Sequence, residues 1–145
     1  MGRVEKSIEI KASPEKVWEM LSLDRLPEWD ENYTNVEYTS KVNTPEDKYK
    51  VGSVAHATHR QGEWTLDITE SFENKKIMYA LKGKTALIVT SILEPVENGT
   101  KFTLVGDYLV PWGFFGKFLE NVFLRRQSEK SMETALEKLK SIIEK

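Results

Sequence analysis

Val4, Ile8 and Ile10 alternate with Glu9 and Lys11, the period of two that marks a strand with one buried face, here over residues 3–11. Ser13-Pro14-Glu15 then reads as a helix start: Ser as N-cap, Pro at the first helical position, an acid in the first turn. Val17, Met20 and Leu21 form only a short apolar stripe, so this helix is brief. Leu26-Pro27 interrupts it, and Pro27-Glu28-Trp29 opens a second short helix. A strand is predicted over 35–41. Residues 42–51, with Asn43, Pro45 and Asp47 and with Gly52 following, read as a loop. Further strands are predicted over 53–60, 63–72, 77–82, 85–93 and 101–110. Turn residues separate them at Gln61-Gly62, Glu73-Asn74-Lys75, Gly83-Lys84 and Asn98-Gly99. Trp64, Leu66 and Ile68 share one face; Phe102, Leu104 and Tyr108 are in phase in the last run. Recurrence at roughly 8–12 residues is that of an antiparallel meander. Pro111-Trp112-Gly113 ends the sheet. Residues 114–144 hold no Pro and only Gly116, which predicts one helix about 45 Å long at 1.5 Å per residue.

A long antiparallel sheet solvated on one face must cover the other, and the terminal helix is the only element large enough to do so. The predicted fold class is α+β: a helix-grip fold, with a curved antiparallel sheet of six to seven strands wrapped around the long C-terminal helix. The two short helices after the first strand plug one end. Residues 1–145 form one domain, as the length implies. The absence of Cys removes disulfides, thiolate metal sites and thiol nucleophiles. Twenty-one basic against 23 acidic side chains leave no basic excess, which argues against a nucleic-acid footprint. No apolar run approaches the ~18 residues of a membrane span. The charged N-terminal segment is unlike a signal peptide. A cytoplasmic protein without integral membrane association is expected.

Candidate chemistry is sparse. His56 and His59 are the only histidines, and three residues apart on a strand they point to opposite faces, so neither a metal site nor any other cofactor is expected. His56, in phase with Val54 and Thr58, is the one considered for the cavity, against a plain surface position. No serine sits in a nucleophile elbow, and no glycine-rich phosphate loop is present. The terminal helix carries an apolar stripe at both ends, but its middle, residues 125–131, is polar all round. Either this middle emerges into solvent, or Arg125 or Arg126, with Ser128 or Glu129, faces inward. A buried arginine would need an anionic ligand or a carboxylate partner, for which Glu70, Asp107 and Glu129 are the candidates. Trp112, Phe114, Phe115 and Phe118 crowd the helix entry. They are either core or an apolar portal lip, with Phe114 or Phe115 touching ligand or, transiently, a membrane. Trp29, Tyr33, Trp64, Tyr79 and Tyr108 are amphipathic side chains of the kind that line ligand pockets, or ordinary core.

Four segments together resemble the START-like or SRPBCC superfamily, the Bet v 1-like and polyketide cyclase/dehydrase-type proteins, over essentially the whole chain. Ser13-Pro14-Glu15-Lys16-Val17-Trp18 is similar to the family's first helix, and Leu26-Pro27-Glu28-Trp29 to its second. Asn98-Gly99-Thr100 before Phe102 and Leu104 is similar to its last hairpin, and Val110-Pro111 leads into the terminal helix. The resemblance implies a deep cavity between helix and sheet for an apolar or amphipathic small molecule: lipid-, polyketide- or isoprenoid-like. Ligand binding is the expected function. The alternatives are an enzyme of the polyketide cyclase/aromatase type and a chaperone- or ribosome-associated interaction module, because function resides in the site and not in the fold.

Overall fold

The computed structural model describes residues 2–60, 62–83, 86–108 and 114–145, without the side chains of 114–125. Seven strands form one curved, unclosed antiparallel sheet: β1 (Gly2–Ile10), β2 (Tyr33–Tyr38), β3 (Val54–His59), β4 (Gly62–Phe72), β5 (Lys76–Lys82), β6 (Ala86–Val96) and β7 (Gly99–Tyr108). Their order is β1-β7-β6-β5-β4-β3-β2. The last six strands are a meander, and the first strand closes onto the last. Helices α1 (Pro14–Glu19) and α2 (Leu26–Trp29) carry the chain from β1 to the far edge, and α3 (Phe114–Ile143) is the long C-terminal helix. The helix-grip architecture expected from the alternation is the one the chain adopts.

Local chemistry accounts for the elements. The Ser13 side chain accepts from the Lys16 amide and Pro14 occupies the first turn, so α1 starts where its cap residues stand. Register shifts between Tyr33 and Asn35 in β2 and between Ile68 and Glu70 in β4 are bulges, which bend a sheet and raise its twist. The bulge at β4 also reverses the alternation: Trp64, Leu66 and Ile68 are buried, while Phe72 stands 54% exposed. The β6–β7 turn is one residue earlier than the sequence suggests. Val96 pairs Gly99, so Glu97 and Asn98 form the turn and Gly99 is already strand. Pro95 is tolerated in β6 because β5 begins only at Lys76, opposite Ile92, and the last bond on that side runs from the Leu93 amide to the Lys75 carbonyl, short of the position where Pro95 lacks a donor.

The core lies between the concave face and the helices. Val17, Met20 and Leu21 of the α1 region are buried, as their apolar stripe implies, and Trp18 is buried with them. From α3, Ala135, Leu136 and Leu139 enter the same core. Trp29 packs edge-on against Phe102 at 6.3 Å. The C-terminal end of α3 is clipped to β1: Lys140 Nζ donates to the Glu9 carbonyl at 2.8 Å, and Glu144 accepts from the Lys11 amide at 2.9 Å. Lys6, the one polar interruption on the inner side of β1, reaches Glu133 on α3 at 3.0 Å.

Candidate functional site

The concave face is largely apolar, and a cluster of titratable side chains gathers where β2, β3, β4 and β5 pass beneath the α2–β2 connection. Alternation sends Ala55, Ala57 and His59 inward on β3, and His56 outward. The His59 ring meets Tyr33 edge-on at 4.9 Å and lies 5.3 Å from Trp64. Trp64, Tyr33 and Tyr79 are each more than nine-tenths buried. Trp64 Nε1 is sealed from water and has no hydrogen-bond partner. The indole lies over Gly83, where an added Cβ would come within 2.7 Å of the ring. Asp30, at the end of α2, holds a largely buried carboxylate that accepts from the Asn32 amide at 3.0 Å. Asn32 in turn donates to Ser131 Oγ at 2.6 Å, tying the cluster to α3.

Burial governs the electrostatics. Desolvation pushes the Asp30 carboxyl above the usual carboxylate range, only partly offset by the Asn32 amide. It also raises the phenols of Tyr33 and Tyr79; Asp30 adds to both, and Tyr79 adds to Tyr33. The same effect, with the charge of Arg60, lowers His59, so its imidazole is neutral near neutral pH. The cluster is thus a set of uncharged donors beside one carboxylate that ionises reluctantly.

A raised carboxyl pKa makes the folded state bind its proton more tightly than the unfolded chain does. Asp30 therefore favours folding most below the ordinary value of 3.8. That contribution is lost as pH climbs through the raised folded-state value. Asp30→Asn keeps the acceptor for Asn32 but cannot ionise. Urea unfolding at stepped pH should show the variant gaining on the parent from acid to neutral pH. A constant gap across that range would mean that the carboxyl is not desolvated.

Several residues singled out in the sequence stand elsewhere. His56 is exposed on the convex face and pairs with Glu63 at 2.7 Å; its strand parity puts His59, not His56, inside. Arg126 is exposed, because the polar middle of α3 turns its Arg126, Gln127 and Lys130 to water. Ser128, Glu129, Ser131 and Met132 are half-buried on the other side. Glu70 is engaged by Lys76 at 3.3 Å, and Asp107 is held by Arg3 at 2.7 Å on the convex face. Trp29 is core, its Nε1 donating to the Met20 carbonyl at 3.1 Å. Tyr108 ends β7 on the concave side, its ring against Gly2 and its buried hydroxyl without a partner. Trp64 and Tyr79 lie on the concave face together. The side chains of Phe114, Phe115 and Arg125, and all of Trp112, fall outside the described residues. Asp30 and Asn32 escaped notice because neither belongs to a motif. The parity of Ala55 and Ala57 is the signal that could have found His59.

Among the described residues, no group of three or more His, Asp or Glu side chains gathers as metal ligands would, and no helix is long and apolar enough to cross a membrane. An open depression of about 420 Å³ at Ser7, Ile8, Glu9 and Lys101 lies across the sheet from the polar cluster.

Residues 1–144 match the sequence model of a family described as polyketide cyclase/dehydrase and lipid transport. No curated protein matches the chain. Among solved structures, a START superfamily protein from Mycobacterium smegmatis superposes with a TM-score of 0.76 at 15% identity, over 99% of this chain and 98% of that one. A protein from Bacillus halodurans gives 0.75 at 20% identity, over 99% and 97%. The Aha1 dimer from Colwellia psychrerythraea gives 0.69 at 21% identity, over 99% and 96%. At these identities the likeness is one of fold.

Proposed function

The chain belongs to the polyketide cyclase/dehydrase and lipid transport family within the START-like, SRPBCC-type proteins, and on that premise we propose that it binds an apolar or amphipathic small molecule between the concave face and α3. The observation that supports this most directly is the Trp64 indole, buried among apolar neighbours with its N–H unmet. Buried donors are nearly always satisfied, so an orphan marks a site built for something other than packing. Around it, the walls supply apolar surface from Leu66, Leu81 and Ala57, with a few convergent polar tips from Tyr33, Tyr79 and His59. That composition suits a small-molecule pocket.

A cyclase-type enzyme is the second reading, favoured by the reluctant carboxyl of Asp30 electrostatically linked to two buried phenols. Binding is common to both. Titration with Nile red should give a saturable fluorescence rise at one site per chain. Native mass spectrometry of protein purified from its own host should show a discrete adduct. A linear, unsaturable Nile red response together with a bare mass would overturn the binding proposal.

A further inference from the structure

Resting on that binding proposal, we infer that the site takes an uncharged ligand whose oxygen accepts from Trp64 Nε1, and that it rejects carboxylate-bearing ligands of the same shape. Trp64 is 4% exposed and its donor has no acceptor in the protein. Its place on the wall is set by backbone: Gly83 leaves the room that the indole fills, and His59 stands against the ring at 5.3 Å. Nε1 has no open space against it, so a ligand oxygen reaches it by displacing a neighbouring side chain while the indole itself stays in place, which lowers the entropy cost of the bond.

The charge balance around the donor selects against anions. The fully buried polar residues among those described are Ser22, Ser53, Thr90, Ser91, Thr100 and Thr103, with no Lys or Arg. Arg126 is exposed; Arg60 is exposed and lies beside Glu31 at 4.0 Å. His59 is held neutral by its burial. Among the described residues, the carboxylate that acts on Tyr33 and Tyr79 from within the same cluster is Asp30. A carboxylate entering here would lose its water and face a like charge, and the described cation that acts on the cluster, Arg60, stays exposed beside Glu31. A ketone, ester or phenol oxygen loses far less hydration and meets no repulsion. Of the two arginines expected as an anionic anchor, Arg126 is exposed and the side chain of Arg125 lies outside the described residues.

Three probes of similar size separate the contributions: benzophenone carries the acceptor, diphenylmethane lacks it, and 4-benzoylbenzoate adds the anion. Calorimetric titration should show that Trp64→Phe weakens benzophenone by about 3- to 10-fold, as loss of one neutral hydrogen bond implies, and leaves diphenylmethane unchanged. The parent should bind 4-benzoylbenzoate less tightly than benzophenone, and Asp30→Asn should narrow that gap. In ¹H–¹⁵N spectra of the parent, saturating benzophenone should move the Trp64 indole N–H downfield, and diphenylmethane should not. That shift decides the matter even if Trp64→Phe does not fold. An unmoved indole resonance, an unchanged benzophenone-to-diphenylmethane ratio in the variant, or a carboxylate bound as tightly as the ketone overturns the neutral anchor. Saturable Nile red binding with no binding of the three probes overturns the anchor alone. Failure of Nile red as well overturns the binding proposal with it.

Discussion

Leu139→Ala should destabilise the protein by about 2–5 kcal/mol, the usual loss for truncating a buried leucine. Leu139 is wholly buried and Leu136 nearly so. The two lie three residues apart on α3, on the side that packs against the core. Truncation removes the transfer free energy of the lost methyl groups and leaves a void that a close-packed core closes only in part. Urea unfolding gives the loss directly. Glu137→Ala, at an exposed position one turn face away, should change stability by no more than about 0.5 kcal/mol. If Leu139→Ala also stayed in that range, α3 would not be gripped by the sheet.

The second large effect is expected at the β6–β7 turn. An added Cβ on Gly99 would fall inside the contact distance of the Ile10 carbonyl oxygen and 3.0 Å from the Ala12 nitrogen. Both are backbone atoms, so nothing there can rotate away. This is also the place where Thr100 Oγ1 donates to the Ala12 carbonyl at 2.7 Å, so the end of β1 and the start of β7 are held close on purpose. Gly99→Ala should cost about 1–3 kcal/mol, as overpacking does. Gly106 makes the comparison. Among the described residues its added Cβ would meet the terminal methyl of Met132, at 3.0 Å, and an unbranched thioether can move aside. Gly106→Ala should therefore cost less than about 1 kcal/mol. Thermal unfolding of the pair tests this; equal losses would mean that the Ile10–Gly99 approach relaxes freely.

Much of the fold was legible because each element carries its own local code. Ser13-Pro14 starts α1 where a cap and a ring-locked φ dictate it. The alternation of Trp64, Leu66 and Ile68 is that of a half-buried strand, and their burial follows from it. The uninterrupted run after Gly116 has no residue that could break a helix, and it is one helix. Family membership was legible for the same reason, since it rests on such segments in their order.

The site was less legible, because it is made by register and not by motif. His56 and His59 are equivalent in the sequence as donors and bases. Which one faces the core depends on where β3 pairs with β4: Ala57 opposite Trp64, and His59 opposite Gly62. A slip of one residue would have exchanged them. For the polar middle of α3 the sequence left open an inward arginine or a stretch emerging into solvent, and the helix turns Arg126 to water. Asp30 and Asn32 belong to a four-residue helix and its exit, too short for any periodic signal, and became important only when β2 and α3 closed over them.

Period, caps and breakers act within a few residues, so the chain's own order of side chains was enough to set seven strands, three helices and a covered concave face. Burial of a particular carboxyl, the unmet N–H of Trp64 and the neutrality of His59 depend on groups up to a hundred residues apart, as Asn32 and Ser131 are. Those contacts exist only once the sheet has curved around α3, because desolvation and hydrogen-bond satisfaction are properties of the assembled surroundings and not of any one segment.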